Sequence, residues 1–551
     1  MAVNTKSKEV KGSLSRKMVK DVFFDMRRPG RLQQGQEETM KVLVDSRQMK
    51  QCDKNTIEYF GMPSLVLMER AALSVVQEVE NHFGKGKGKK HTALVACGFG
   101  NNGGDGLAIG RMLWQRGYGV TILMPPGDHK MSEEAKAQKG ILEKYGVPMA
   151  DAIPMQEFDV IIDALFGIGL ARDLEGVYRQ FVDGMNARPG FKVAVDIPSG
   201  IHADTGAVLG VGFRADLTVT FAFAKTGLLL YPGAEYAGKV LVKDIGISSH
   251  SFLGEKPTMY CVGEEDYALL PERKPYSNKG TFGKVLAVAG SKNMAGAAFL
   301  SGKASYATGA GLVRIFTEEK NRVALQGLLP EAILTTYGGA KDLEGTLEKA
   351  LSWADAIVAG PGIGTGEAAK KLVKSILKHA KAPVILDADG LNVVASHLKW
   401  LKKAKAPVIV TPHLGEMARL SGMGIADIQK QLLQIARNFA QEYHVICVLK
   451  DARTITALPD GRAYFNVSGN HGMAAAGAGD VLSGVLAGLA AQGMRLEEAA
   501  PVGVYLHGAA ADRQLQATGA YGMMAHHLID GVAQVLKEQE EIRKVEKNEA
   551  I

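Results

Sequence analysis

From residue 40 onward the chain alternates short apolar runs with longer amphipathic stretches. The runs at 92–97 (TALVAC), 160–164 (VIIDA), 193–196 (VAVD) and 217–222 (LTVTFA) are nearly continuous in Val, Ile, Leu and Ala, the pattern of strands buried on both faces. Between them the spacing predicts a helix over about 58–80 and, after a Gly-rich turn, another over 106–116. Strand followed by helix, repeated, predicts a parallel sheet with covered faces. A second series opens beyond Pro271 and Pro275, with predicted strands at 285–289, 356–359, 384–387, 408–411 and 445–450. The reading is therefore of two α/β domains, 40–250 and 262–540, with a boundary near 250–275 and no motif shared between the halves.

Composition narrows the class. Of 551 residues, 46% are hydrophobic and 22% charged, which is ordinary for a globular protein and excludes a mostly disordered chain. No apolar run reaches the roughly 18 to 20 residues that span a bilayer, so no membrane partner is expected. Residues 1–39 carry nine Lys and Arg against five Asp and Glu, so about +4 of the net +7 lies there and only +3 is spread over the rest. No nucleic-acid surface follows from that distribution. The segment 1–39 lacks the apolar core of a signal peptide and reads as a frayed extension. The cysteines at 52, 97, 261 and 447 are spaced as neither a zinc site nor a disulfide scaffold, which fits a reducing cytoplasm.

In the first half, Gly98-Phe99-Gly100-Asn101-Asn102-Gly103-Gly104-Asp105-Gly106 follows a predicted strand and opens a helix, where free backbone N–H groups attract phosphate. Its spacing departs from the dinucleotide fingerprint, and two Asn and an Asp stand where a bare turn needs only Gly. Asp163, before Leu165-Phe166-Gly167-Ile168-Gly169, and Asp196, before Ile197-Pro198-Ser199-Gly200, end two further strands. Either acid alone reads equally well as a helix cap. Three polar strand ends together predict one ligand crevice.

In the second half, Gly469-Asn470-His471-Gly472-Met473 and Gly477-Ala478-Gly479-Asp480 precede an apolar helix. The combination predicts an anion hole of backbone N–H groups with Asp480 as a base toward an attacking hydroxyl. The motifs Asn278–Gly283, Gly290-Ser291, Asp387–Asn392 and Thr411–Glu416 come before it, most of them at or beside predicted strand ends.

At these residues both halves resemble a known family. GFGNNGGDG, DALFGIGL, VAVDIPSGI and ADLTVTFAFAKTG resemble the N-terminal epimerase domain of bifunctional NAD(P)H-hydrate repair enzymes, a Rossmann-like parallel-sheet sandwich. The resemblance implies a potassium ion held by Asn102, Asp163 and Ser199. It also sets the hydrate against Asn101, Asn102, Gly103, Gly104 and Asp105 and against Gly167, Ile168, Gly169, Leu170, Ala171, Arg172 and Asp173. Asp196 would lie beside the reacting ring, as the acid that protonates the C6 hydroxyl. The second half resembles the family's ribokinase-like α/β/α dehydratase domain. That resemblance implies hydrate contacts from Ala297, Gly362, His413 and Asp480, and a site for ADP or ATP with Mg2+ at Lys450, Asp451, Ala452, Arg453, Thr454 and Gly479. Asp451, where the family usually has Gly, and His526-His527, where it has Ser-Asp, depart from the pattern.

The expected activity is thus repair of hydrated NADH and NADPH, by epimerisation and then nucleotide-dependent dehydration, in a cytoplasmic homo-oligomer. The alternative is a ribokinase-like small-molecule kinase with a non-catalytic N-terminal module, which leaves the polar residues of the first half without a use.

Overall fold

The computed structural model describes residues 40–83, 90–127, 129–338 and 343–549. The extension 1–39 lies outside the described residues. Two compact units form, one from 45–228 with 232–253 and one from 254 onward with 229–231 and the strand Lys41–Val44. That strand pairs antiparallel with Met259–Cys261, so it belongs to the second sheet although the sequence pattern groups it with the first half.

The first unit is a parallel sheet ordered Met149–Ala150, Gly119–Leu123, Thr92–Cys97, Val160–Ala164, Phe191–Val195, Leu217–Phe221, Lys239–Lys243. The chain leaves Thr92–Cys97 toward one edge and then crosses back to Val160–Ala164 for the other. The order reverses between these two strands, and a ligand crevice forms at the carboxyl ends on such a switch point. Leu94, Ile161 and Ala194 pack with Phe181 and Val182 in a dry core on one face.

The second unit repeats the logic with another order. Parallel strands run Ile333–Tyr337, Leu312–Glu318, Lys284–Val288, Ala356–Ala359, Val384–Leu386, Val408–Val410, Ile446–Leu449, followed by antiparallel Ile455–Ala457 and Ala463–Phe465 and then Met259–Cys261. Its switch point lies between Lys284–Val288 and Ala356–Ala359. The helix Ala478–Ala491 is buried from Val481 to its end, as its all-round apolar sequence requires. Each such Val or Leu contributes about 1.5 to 3 kcal/mol of burial.

The predicted strands form, some a residue or two shorter. The predicted helix at 58–80 forms as Ser64–Phe83, starting after Gly61-Met62-Pro63, and a further helix Ser46–Glu58, not predicted, precedes it. The helix predicted from 106 begins five residues earlier, at Asn101, because Asn102-Gly103-Gly104 has loop composition yet winds into its first turn. Among the described residues no helix is long and apolar enough to cross a membrane.

Candidate functional site

In the first unit the Gly-rich segment bends straight from strand to helix. A Cβ on Gly98 would lie 2.0 Å from the Leu165 carbonyl oxygen, so only glycine lets the two strand ends come this close. Beside it lies a cavity of about 800 Å³, lined among others by Asn101, Asn102, Asp105, Asp196 and Lys225. The loop from Gly167 to Arg172 borders it as well. Gly103 and Gly104 turn inward instead, against the Gly98 carbonyl and Met68, and a Cβ at Gly210 would lie 3.3 Å from the Asp173 Cβ.

Asp163 and Ser199 are fully buried. The Ser199 hydroxyl and backbone N–H each donate to the Asp163 carboxylate at 2.7 Å, and the Leu165 N–H donates at 3.2 Å. Burial nevertheless raises the Asp163 carboxyl to about 6, with the Ser199 and Leu165 hydrogen bonds pulling the other way. The Asn102 amide nitrogen is buried without a hydrogen-bond partner. A buried carboxylate is unfavourable alone, and a cation ligated by its oxygen and by the neighbouring side-chain oxygens would relieve it.

Asp196 takes a positive φ of 66°, a strained backbone for a residue that is not glycine. Its Oδ1 accepts from Lys225 Nζ at 2.6 Å, Thr220 Oγ1 at 3.0 Å and the Phe221 N–H at 3.4 Å. Lys225, almost wholly buried, also donates to Thr220 Oγ1 and to the Phe221 carbonyl. The sequence reading made Asp196 the acid beside the reacting ring, and the structure sets its Oδ1 against the Lys225 ammonium. Lys225 was missed in the sequence, although it stands in the quoted motif FAFAKTG.

In the second unit, four neighbouring parallel strands each deliver one residue group at their carboxyl ends: Gly362 after Ala356–Ala359, Asp387 after Val384–Leu386, His413 after Val408–Val410, Lys450 after Ile446–Leu449. Lys450 Nζ pairs with Asp387 Oδ1 at 3.0 Å, and Asp387 Oδ2 accepts from the Ser483 hydroxyl at 2.7 Å. Burial opposes the Lys450 charge, but Asp387 and Glu416 outweigh it and hold the ammonium above its usual pKa. Gly479 sits over this pair: a Cβ there would lie 3.2 Å from Lys450 Nζ.

Asp480 stands in the first turn of the helix Ala478–Ala491, whose start is set by Gly477 at φ 91°. Burial first, and then the Asp387 charge, raise its carboxyl to about 7, with Lys450 lowering it in part. His413 caps the helix Leu414–Ser421, its Nδ1 accepting from the Gly415 N–H at 3.0 Å. Glu416 Oε2 accepts from the His413 backbone N–H at 2.9 Å. Gly362 and Ala297 adjoin, since a Cβ on Gly362 would lie 3.0 Å from that of Ala297. The Arg453 guanidinium donates to the carbonyls of Val467 and Leu229, so its side chain ties backbone together. Asp451, Ala452 and Thr454 share that turn, with the Thr454 hydroxyl on the Asp451 carbonyl at 3.3 Å. His527, in the departing His526-His527 pair, accepts from the Met524 N–H at the start of the last helix. Asp512, unnoticed in the sequence, accepts from the Gly469 N–H and the Asn470 amide and so anchors the Gly469–Met473 loop.

Residues 285–534 match the NAD(P)H-hydrate dehydratase family model and residues 64–227 the model described as YjeF-related protein N-terminus. A bifunctional NAD(P)H-hydrate repair enzyme of Moorella thermoacetica is 38% identical over 526 residues, covering 91% of this chain and 97% of that one. Its counterpart in Escherichia coli is 35% identical over 487 residues, covering 88% and 92%. The crystal structure of an ADP/ATP-dependent NAD(P)H-hydrate dehydratase from Bacillus subtilis, co-crystallised with ATP/Mg2+, is 34% identical, with a TM-score of 0.45, 50% of this chain and 96% of that one covered. With two successive strand-end sites, each within its own sheet, and relatives alike over nearly their whole length, the chain belongs to the family of bifunctional NAD(P)H-hydrate repair enzymes.

Proposed function

We propose that the chain restores hydrated NADH and NADPH in two steps, interconverting the R and S hydrates in the first unit and dehydrating the S form in the second at the expense of ADP or ATP. The observation that carries this reading is a set of polar strand-end residues in each unit, with acids of its own, in a chain that matches bifunctional relatives over most of its length.

In the first unit the hydrate lies along Asn101, Asn102 and Asp105 and along Gly167 to Arg172, with the nicotinamide ring at Asp196. When the C6 hydroxyl leaves as water, the enamine nitrogen beside C6 carries the positive charge. The Asp196 carboxylate, fixed by Lys225 and Thr220, faces that charge at no cost in reorganisation. Water then adds to the opposite face. Asn102, Asp163 and Ser199 would hold a potassium ion beside this crevice. The ion, when bound, supplies positive charge that neutralises Asp163 and fixes the loops that carry these three residues.

In the second unit Asp480 takes the proton of the C6 hydroxyl as that oxygen attacks the terminal phosphorus of the nucleotide. Backbone N–H groups from Gly477 to Asp480, at the positive end of a helix, face the phosphoryl oxygens. Lys450 and Gly479 lie beside them, while His413, Gly362 and Ala297 border the hydrate. Loss of phosphate and of a proton from C5 restores the ring double bond. The nucleotide enters as its Mg2+ complex. A cytoplasmic setting is supported by four buried cysteines that form no disulfide among the described residues, and homo-oligomerisation is checked by light scattering of the purified chain.

The test is incubation of the full chain with mixed R and S hydrate of NADH plus Mg-ADP or Mg-ATP, following recovery of the dihydronicotinamide absorbance. Full recovery from both epimers is expected. Recovery of neither, with either nucleotide, excludes this function. In ¹⁸O-water, epimerisation should place label in the inverted hydroxyl while a deuterium at C6 stays. Deuterium washout without label points to base-driven inversion instead.

A further inference from the structure

Four acids line the cavity of the first unit: Asp53 from the helix Ser46–Glu58, Asp105 from the helix Asn101–Gln115, Glu134 from the helix Glu133–Lys144, and Asp196 from a strand end. Lys225 is the cation among them. Glu134, on the side of Asp53, accepts from the Ser64 hydroxyl, and Lys50 and Arg172 line the same cavity.

These carboxyls are not equivalent. Asp196 Oδ1 is filled by an ammonium, a hydroxyl and a backbone N–H, and Lys225 distributes its three protons over Asp196, Thr220 and the Phe221 carbonyl. Asp196 Oδ1 and the Lys225 ammonium are thus engaged with each other and with the Thr220–Phe221 turn. Asp105, half-buried on the cavity wall, forms no hydrogen bond or ion pair among the described residues. Its neighbours in charge are Asp196 and Asp53, both of its own sign. A carboxyl that is half-buried, unpaired and beside two other acids avoids ionising.

We propose that Asp105 is the proton donor of epimerisation and that Asp196, locked to Lys225, is the anion that holds the cation so formed. The inference rests on the epimerase reading of the first unit. Asp105 gives its proton to the C6 hydroxyl oxygen. The C–O bond breaks with its electron pair on the departing water, and the ring nitrogen lone pair moves to C6. Asp105 is left as carboxylate. Water attacks the other face of C6, the electron pair returns to nitrogen, and the proton shed by the incoming water restores Asp105, with solvent as carrier. Burial, followed by the Asp196 and Asp53 charges, lifts the Asp105 carboxyl well above the usual carboxylate range, the direction a proton donor needs.

The experiment measures interconversion of separated R and S hydrates by the full chain across pH, with the buffer-only rate subtracted. In the wild type kcat should fall as pH rises and Asp105 ionises. Asp105→Asn should lower kcat by roughly 10²- to 10⁴-fold with KM little changed and should abolish that limb. Thermal unfolding of the same preparation, followed by circular dichroism, reports that the first unit is folded. Asp105→Glu should keep the limb with a displaced midpoint, which decides the matter if Asp105→Asn does not fold. Asp53→Asn should retain the limb, whatever it does to KM. Wild-type kcat and an intact limb in Asp105→Asn, an unmoved midpoint in Asp105→Glu, or loss of the limb in Asp53→Asn would overturn the assignment. A wild type no faster than buffer would instead remove the epimerase reading beneath it.

Discussion

At the scale of single residues, the two units use carboxyls in opposite ways. In the proposed dehydration Asp480 is the base and must lose its proton before it acts. With its carboxyl raised to about 7 by burial and by Asp387, kcat/KM for dehydration should rise with pH through about 7 and level off above it. Asp480→Ala should cost roughly 10²- to 10⁴-fold in dehydration and flatten this profile. A profile already flat from pH 5 upward would mean that Asp480 is not the group being titrated. The same raised value has a stability cost of definite sign. Below the ordinary carboxylate range both folded and unfolded chains are protonated at this position, and the cost is incurred as pH rises toward about 7. Asp163 supplies the only full negative charge among Asn102, Asp163 and Ser199. Asp163→Ala should weaken potassium binding, read by thallium titration or by the potassium dependence of thermal unfolding, together with epimerisation. Epimerisation that is indifferent to exchange of potassium for a bulky organic cation would remove the basis for that site.

At the scale of elements, both sites stand where a helix N-terminus meets the carboxyl ends of parallel strands, so unsatisfied N–H groups and strand-end side chains share one crevice. These helix starts are also where sequence pattern misleads. Asn101–Asp105 has turn composition, and its helical state follows from the strand ends and the core beneath it, into which Gly103 and Gly104 pack. Gly477 is a second such place. It sits at φ 91°, and a Cβ there would lie 2.6 Å from Leu300 Cδ1. Gly477→Ala should therefore destabilise the second unit by about 1 to 3 kcal/mol and displace the first turn that carries Asp480. The checks are thermal unfolding and dehydration rate. Unchanged values for both would show that neither the backbone conformation nor the packing at this glycine matters.

At the scale of the whole molecule, two sheets with separate switch points divide the work. Asp480→Ala should leave epimerisation at the wild-type rate, and Asp196→Asn should leave dehydration of pure S hydrate intact while slowing inversion. Equal loss of both activities in either folded variant would contradict two independent sites. Two α/β units, their strands and the polar motifs at strand ends were legible from residue order alone, because continuous apolar runs and Gly-Asn-Asp clusters are local signals. The strand Lys41–Val44 was not, since its partner Met259–Cys261 lies more than two hundred residues away and nothing local announces such a pairing. Nor were the charge states. DIPSG marks Asp196 as a polar strand end, but whether that carboxyl gives or holds a proton depends on Lys225 folding back onto it. Likewise Asp387 and Glu416 stood in motifs without an assigned role, and Asp512 went unnoticed, until neighbouring strands and helices brought them to Lys450 and to the Gly469–Met473 loop. Sequence by itself determined which residues end each strand and hence which chemistry is available. Tertiary structure alone decided which of those groups are paired, buried or left with a proton, because desolvation and Coulomb energy depend on distances that the chain order does not contain.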